Sequence, residues 1–161
     1  MITEHITGTI IVKGSAKDTC SLCSHYELFP QFIHGIGLVS REDDKISHWE
    51  IATILGKKIR STAVVTEFQE DKRISWESTG KELNTKGYVT FTSLLNNETE
   101  ITIFIEYSHP FGLFGEFVLE FFSNPQEKLE EALKRFKGYV EGTVHLVYKE
   151  EQNQGTSALI G

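Results

Sequence analysis

"SNPQEKLEEALKRFKGYVEG", residues 123–142, is the one long helical pattern in a 161-residue chain that otherwise alternates like a β protein. Asn124 stands at the N-cap, Pro125 at the first helical position, and Glu127 completes a capping box. Leu129, Leu133, Phe136 and Val140 then recur at steps that place them in one apolar stripe. Glu130–Lys134 and Glu131–Arg135 are favourable i,i+4 pairs on the opposite side. The pattern predicts a helix over 124–141, with Gly142 as a stop. "TVHLVYKE" is able to continue it, and the polar tail 149–161 reads as disordered. A helix with one apolar stripe must lay that stripe on something.

The remainder of the chain supplies the surface. "HITGTIIVK" (5–13) is rich in β-branched residues and reads as a strand. Residues 14–35 change period: Ser15 is a plausible N-cap, and Pro30 and Gly35 close two short helices. From Gly35 to His109 the period becomes two, with strands expected at 36–42, 46–55, 59–68, 73–79, 86–95 and 99–108. Short polar turns such as "EDDK" and "NNE" separate them, as in an antiparallel meander. Alternation gives each strand one apolar face: Trp49 with Ile51, Ile74 with Trp76, Val89 with Phe91, and Ile101 with Ile103, Ile105 and Tyr107. No linker divides the chain, so residues 1–148 are expected to form one domain.

Composition narrows the function. Sixteen Lys and Arg against 23 Asp and Glu give a net charge of −7, which speaks against a nucleic-acid partner. No apolar run is long enough to span a membrane and no signal peptide is evident at the N-terminus, so a cytoplasmic location is expected. Cys20 and Cys23 form a CxxC without a second ligand pair; they read as small helix residues, and no metal site is expected. No HExxH, GxSxG or Gly-rich phosphate loop occurs, so neither a cofactor nor a catalytic set is indicated.

The order of elements, and the segments "LFPQFIHGIG" (28–37), "VTEFQEDKRISWESTG" (65–80), "KGYVTFTSL" (86–94), "TEITIFIEYSHPFG" (99–112) and "LKRFKGYVEG" (133–142), carry a resemblance. Over about residues 3–141 the chain resembles the START-like (SRPBCC) superfamily, in its polyketide cyclase/dehydrase-like branch, which also holds coenzyme-Q-binding proteins. The resemblance implies an α+β helix-grip fold. In it a seven-stranded curved antiparallel sheet wraps a long C-terminal helix, and two short helices lie between the first two strands. It also implies a hydrophobic cavity between sheet and helix for a lipid, an isoprenoid quinone or a polyketide-like molecule.

On that expectation Trp49, Trp76, Phe91, Ile103, Phe117, Phe121, Leu133 and Phe136 line the cavity. His34, Arg60, Glu67 and Tyr107 are the polar groups that could reach it. Arg60 and Glu67 stand an odd step apart, so in a regular strand only one of them faces inward. Binding or transport of a small hydrophobic ligand is the favoured function, leaning away from an enzyme. The alternatives are a polyketide cyclase, aromatase or dehydratase, and a module that docks a protein partner through the Phe-rich segment 111–125.

Overall fold

β-Branched and aromatic residues at every second position extend the chain and turn one face of each strand apolar. The computed structural model describes residues 2–33, 35–52, 58–109 and 124–160, with backbone alone at 2, 109 and 144–160. Seven strands form: β1 (Ile2–Lys13), β2 (Ile36–Arg41), β3 (Ile46–Ala52), β4 (Lys58–Gln69), β5 (Arg73–Gly80), β6 (Asn84–Leu94) and β7 (Glu98–His109). Every pairing is antiparallel, and the strands lie in the order β1-β7-β6-β5-β4-β3-β2. The meander is therefore continuous from β2 to β7, and β1 closes on the last strand. Two of its turns use left-handed residues of the kind that tolerate that conformation, Asp71 before β5 and Asn96 and Asn97 before β7.

Between the two edge strands run α1 (Ala16–Cys23) and a 3-10 turn at Tyr26–Gln31. Ser15 caps α1 as expected, its Oγ accepting from the Asp18 N–H at 3.1 Å. Arg41 ties the 3-10 turn to β2. Its guanidinium donates to Glu27 at 2.8 Å and to the Ser24 carbonyl at 2.5 Å, and lies over the Tyr26 ring at 4.4 Å. Gly35, at φ +93°, then reverses the chain into β2.

The long helix, α2, spans Pro125–Ile160. It thus continues through Gly142 and through the tail expected to be disordered. Gly138 and Gly142 keep helical backbone, and without a left-handed glycine nothing halts the ladder. Its stripe is buried as the spacing requires: Leu129, Leu133, Phe136 and Val140 are each at most 8% exposed. Burial of four such side chains is worth about 6–12 kcal/mol as an upper bound. The helix comes close because β1 carries Gly8, where a Cβ would stand 2.7 Å from Leu133 Cδ1.

Side chains of α2 also cover the backbone of edge strand β1. Gln126 donates to the Thr7 carbonyl at 2.7 Å, Lys137 donates to the Ile11 carbonyl at 2.6 Å, and Glu141 accepts from the Lys13 N–H at 3.1 Å. Polar groups that a free edge would present to another chain are thereby occupied.

The core is in two parts. Val12, Ala16, Cys20, Phe32, Phe91, Phe136 and Val140 pack at the α1 end. Ile6, Ile59, Leu83, Tyr107, Leu129 and Leu133 pack at the other. Between them the concave sheet and α2 do not meet.

Candidate ligand cavity

The gap is a cavity of about 270 Å³, bounded by the concave face of the sheet, by the end of α1 and the 3-10 turn, and by α2. Its wall is mostly apolar: Ile51, Val65, Ile74, Ile101, Ile103 and Ile105 from the sheet, Leu129, Ala132, Leu133 and Phe136 from the helix. An aromatic cluster closes one end. Phe29 lies 5.8 Å from Trp49 and 5.4 Å from Phe32, and Phe32 lies 5.6 Å from Phe136. No Lys, Arg, His, Asp or Glu lines the cavity among the described residues. A bare charge brought into such a space would lose its hydration without a counter-charge.

One row across the sheet is polar. Register pairs Ser47 with Ala63, Ala63 with Ser78, Ser78 with Thr85, Thr85 with Tyr107, and Tyr107 with Glu4. All but Glu4 line the cavity. Both tryptophans of the chain donate into this row, Trp49 Nε1 to Ser47 Oγ at 2.8 Å and Trp76 Nε1 to Thr85 Oγ1 at 3.3 Å. Thr85 and Ser78 share a hydroxyl contact of 2.5 Å. Tyr107 donates to Glu4 Oε2 at 3.0 Å, and burial together with that acidic neighbour pushes its phenol up to about 12. Tyr107 is therefore a neutral hydrogen-bonding group at ordinary pH, not a base.

Of the residues expected at the cavity, Trp49, Trp76, Ile103, Leu133, Phe136 and Tyr107 line it. Phe91 is buried beside it, in the packed core at the α1 end. Arg60 and Glu67 stand outside. Arg60 reaches towards Glu50 at 3.5 Å with its side chain 78% exposed, and Glu67 faces Arg73 at 3.7 Å. The odd step between them fails because β4 has a bulge between Val65 and Glu67, which resets the alternation and turns both outward. His34, Phe117 and Phe121 lie outside the described residues, as does most of the Phe-rich segment.

Tyr26, Phe29, Phe32 and three members of the hydroxyl row, Ser47, Ser78 and Thr85, were not among the residues expected at the cavity. The serines were within reach of it: Ser47 is two residues before Trp49 and Ser78 two after Trp76, so each shares its tryptophan's face. Cys23 also lines the cavity, and burial pushes its thiol up to about 12. Among the described residues no group of three His, Cys, Asp or Glu could hold a metal ion, and no helix is long and apolar enough to cross a membrane.

No protein-family model matches the chain. An uncharacterized 17.2 kDa protein from Streptomyces lincolnensis is 28% identical over 118 residues, covering 73% of this chain and 77% of its own length. A START superfamily protein from Mycobacterium smegmatis has the same fold, with a TM-score of 0.66 at 20% identity over 86% of this chain and 98% of that one. The Zhui aromatase/cyclase from Streptomyces sp. R1128 gives 0.60 at 14% identity, over 89% and 94% respectively. The chain has the START-like helix-grip fold: a curved seven-stranded antiparallel sheet closed by a long C-terminal helix.

Proposed function

We propose that the protein binds and carries a small, neutral, hydrophobic molecule in the cavity between the concave sheet and α2. The observation that carries this reading is the cavity itself: about 270 Å³ of space, walled by isoleucine, leucine and aromatic side chains, with no charged lining residue among those described. Small-molecule sites are concave and mostly apolar, with a few placed polar groups, and this volume suits a ligand of modest size. The binder is read as a single domain over residues 1–148 acting in the cytoplasm, with a small molecule rather than nucleic acid as its partner. Native mass spectrometry of protein purified from its own host, followed by solvent extraction, tests the proposal. A co-purifying neutral molecule that raises the melting temperature when added back is the expected result. Protein that emerges empty, and that no apolar compound stabilises, overturns it.

A second reading is cyclisation or dehydration of a polyketide-like substrate. It is favoured by the polar row and by the fold shared with the aromatase/cyclase. On this reading Tyr107, whose hydrogen is held by Glu4, accepts a hydrogen bond from a substrate hydroxyl and orients it. Tyr107→Phe would then abolish turnover of a bound polyketide while sparing its affinity. Unchanged turnover in that variant would remove Tyr107 from the chemistry.

A further inference from the structure

The polar row is unevenly supplied. Ser47 Oγ already accepts from the Trp49 indole, so its own hydroxyl hydrogen is the group left over. At the second position, the Trp76 indole, Thr85 and Ser78 bring three donor hydrogens to two contacts. Whichever way the two hydroxyls are turned, one hydrogen remains. Among the described residues no side chain or carbonyl accepts it, and none accepts that of Ser47. Ser47 is 4% and Ser78 6% exposed and Thr85 is half-buried, so bulk water is kept from the two serines. A water inside an unliganded cavity is able to accept these hydrogens. A ligand that displaces it must bring acceptors of its own or leave two donors bare.

From this imbalance we infer that the cavity selects neutral molecules carrying hydrogen-bond-accepting oxygens at two separated points. Ser47 with Trp49, and Ser78 with Thr85 and Trp76, form the two stations that read them. The inference rests on the cavity being the ligand site and specifies what that site prefers. The stations are set by the register. Ser47 and Ser78 both pair with Ala63, which places them two strand intervals apart, about 9–10 Å along the row. Curvature brings their inward hydrogens closer together than that. A rigid apolar body with a carbonyl at each end fits the arrangement. A plain hydrocarbon leaves both donors unmet, and a carboxylate finds no cation in the described wall.

Three matched probes test this: 2,6-diacetylnaphthalene, 2,6-diethylnaphthalene and naphthalene-2,6-dicarboxylate. The wild-type protein is expected to bind the diketone with both carbonyl stretching bands shifted to lower frequency than in hexane, and to reject the dicarboxylate. The double variant Ser47→Ala/Trp49→Phe removes one station entirely, hydroxyl and indole together. It should return one carbonyl band to its hexane position and weaken the diketone about 3- to 10-fold relative to the diethyl compound. If the diethyl compound binds but the bound diketone shows unshifted carbonyls, the cavity reading stands and this inference fails. Equal weakening of both neutral probes in the double variant also refutes it. If neither neutral probe binds, the cavity reading falls and takes the inference with it. The infrared result on wild-type protein is decisive even if the variant folds poorly.

Discussion

Gly87→Ala is the substitution that most directly tests how the sheet makes room for the site. Gly87 lies in β6, paired with Trp76 on one side and Ile105 on the other, so its missing side chain would point into the concave face. A Cβ there would stand 2.1 Å from the Phe104 carbonyl oxygen and 2.9 Å from Trp76 Cζ2. The first contact is with the backbone of the neighbouring strand, which has no rotamer to change. Relief requires β6 and β7 to part by roughly 1 Å, enough to break one or two ladder hydrogen bonds worth about 0.5–1.5 kcal/mol each. Overpacking adds about 1–3 kcal/mol. The expected loss is therefore about 2–5 kcal/mol, a large share of the 5–15 kcal/mol by which domains are usually stable.

In urea, with a slope of about 2 kcal/mol per molar, the midpoint should fall by about 1–2.5 M. Trp76 should move as well, and tryptophan emission of the folded variant should shift with it. Adding Trp76→Leu removes the ring contact but not the carbonyl, so it should fail to restore the midpoint. A midpoint within about 0.3 M of wild type would refute the reasoning. Full rescue by Trp76→Leu would show that the ring, not the strand backbone, is the obstacle.

Gly8→Ala provides the contrast. Its Cβ would meet Leu133 Cδ1 at 2.7 Å, the end of a flexible side chain, so thermal denaturation should show a loss of under about 1.5 kcal/mol. Leu133→Ala should cost about 2–4 kcal/mol and enlarge the cavity, measured as a lower melting temperature together with tighter binding of a bulkier apolar probe. The hydrogen bond from Lys137 holds the Glu141 carboxyl below the usual carboxylate range. Its contribution is complete above the unfolded pKa of about 4.3 and fades as pH falls from there through the lower folded value. Glu141→Gln should therefore flatten the acid limb of a stability–pH curve while leaving its shape near neutrality unchanged. Removing Gln126 and Lys137 side chains together uncovers the Thr7 and Ile11 carbonyls, and light scattering should detect association through β1.

Most of the architecture was legible because the deciding signals are local. Alternation places Ile101, Ile103, Ile105 and Tyr107 on one face whatever the neighbours, and the Leu129–Val140 stripe needs only a helical turn to define it. The polar part of the site was less legible because it depends on register. Nothing within β4 announces the bulge that turns Arg60 and Glu67 to the outside. Nor does any one strand reveal that Ser47, Ser78, Thr85 and Tyr107 fall on a single line, since that line exists only once the strands are paired. The end of α2 was misjudged for another reason. A glycine stops a helix only when it adopts the left-handed turn, and Gly142 does not.

The strand order has a consequence for how the chain comes into being. The meander from β2 to β7 is assembled from neighbours in sequence, so each hairpin is able to form as it is made. β1 is synthesised first but is paired to the last strand: Lys13 meets Glu98, and Ile2 meets His109. At 5–20 residues per second a ribosome leaves β1 without its partner for roughly 5–20 s. α2, which covers its outer edge, emerges later still. During that interval "ITGTIIV" is an unprotected, strand-forming segment in need of shielding by the nascent chain or a chaperone. The enclosure of the cavity and the pairing of β1 are thus one late event in the life of the polypeptide.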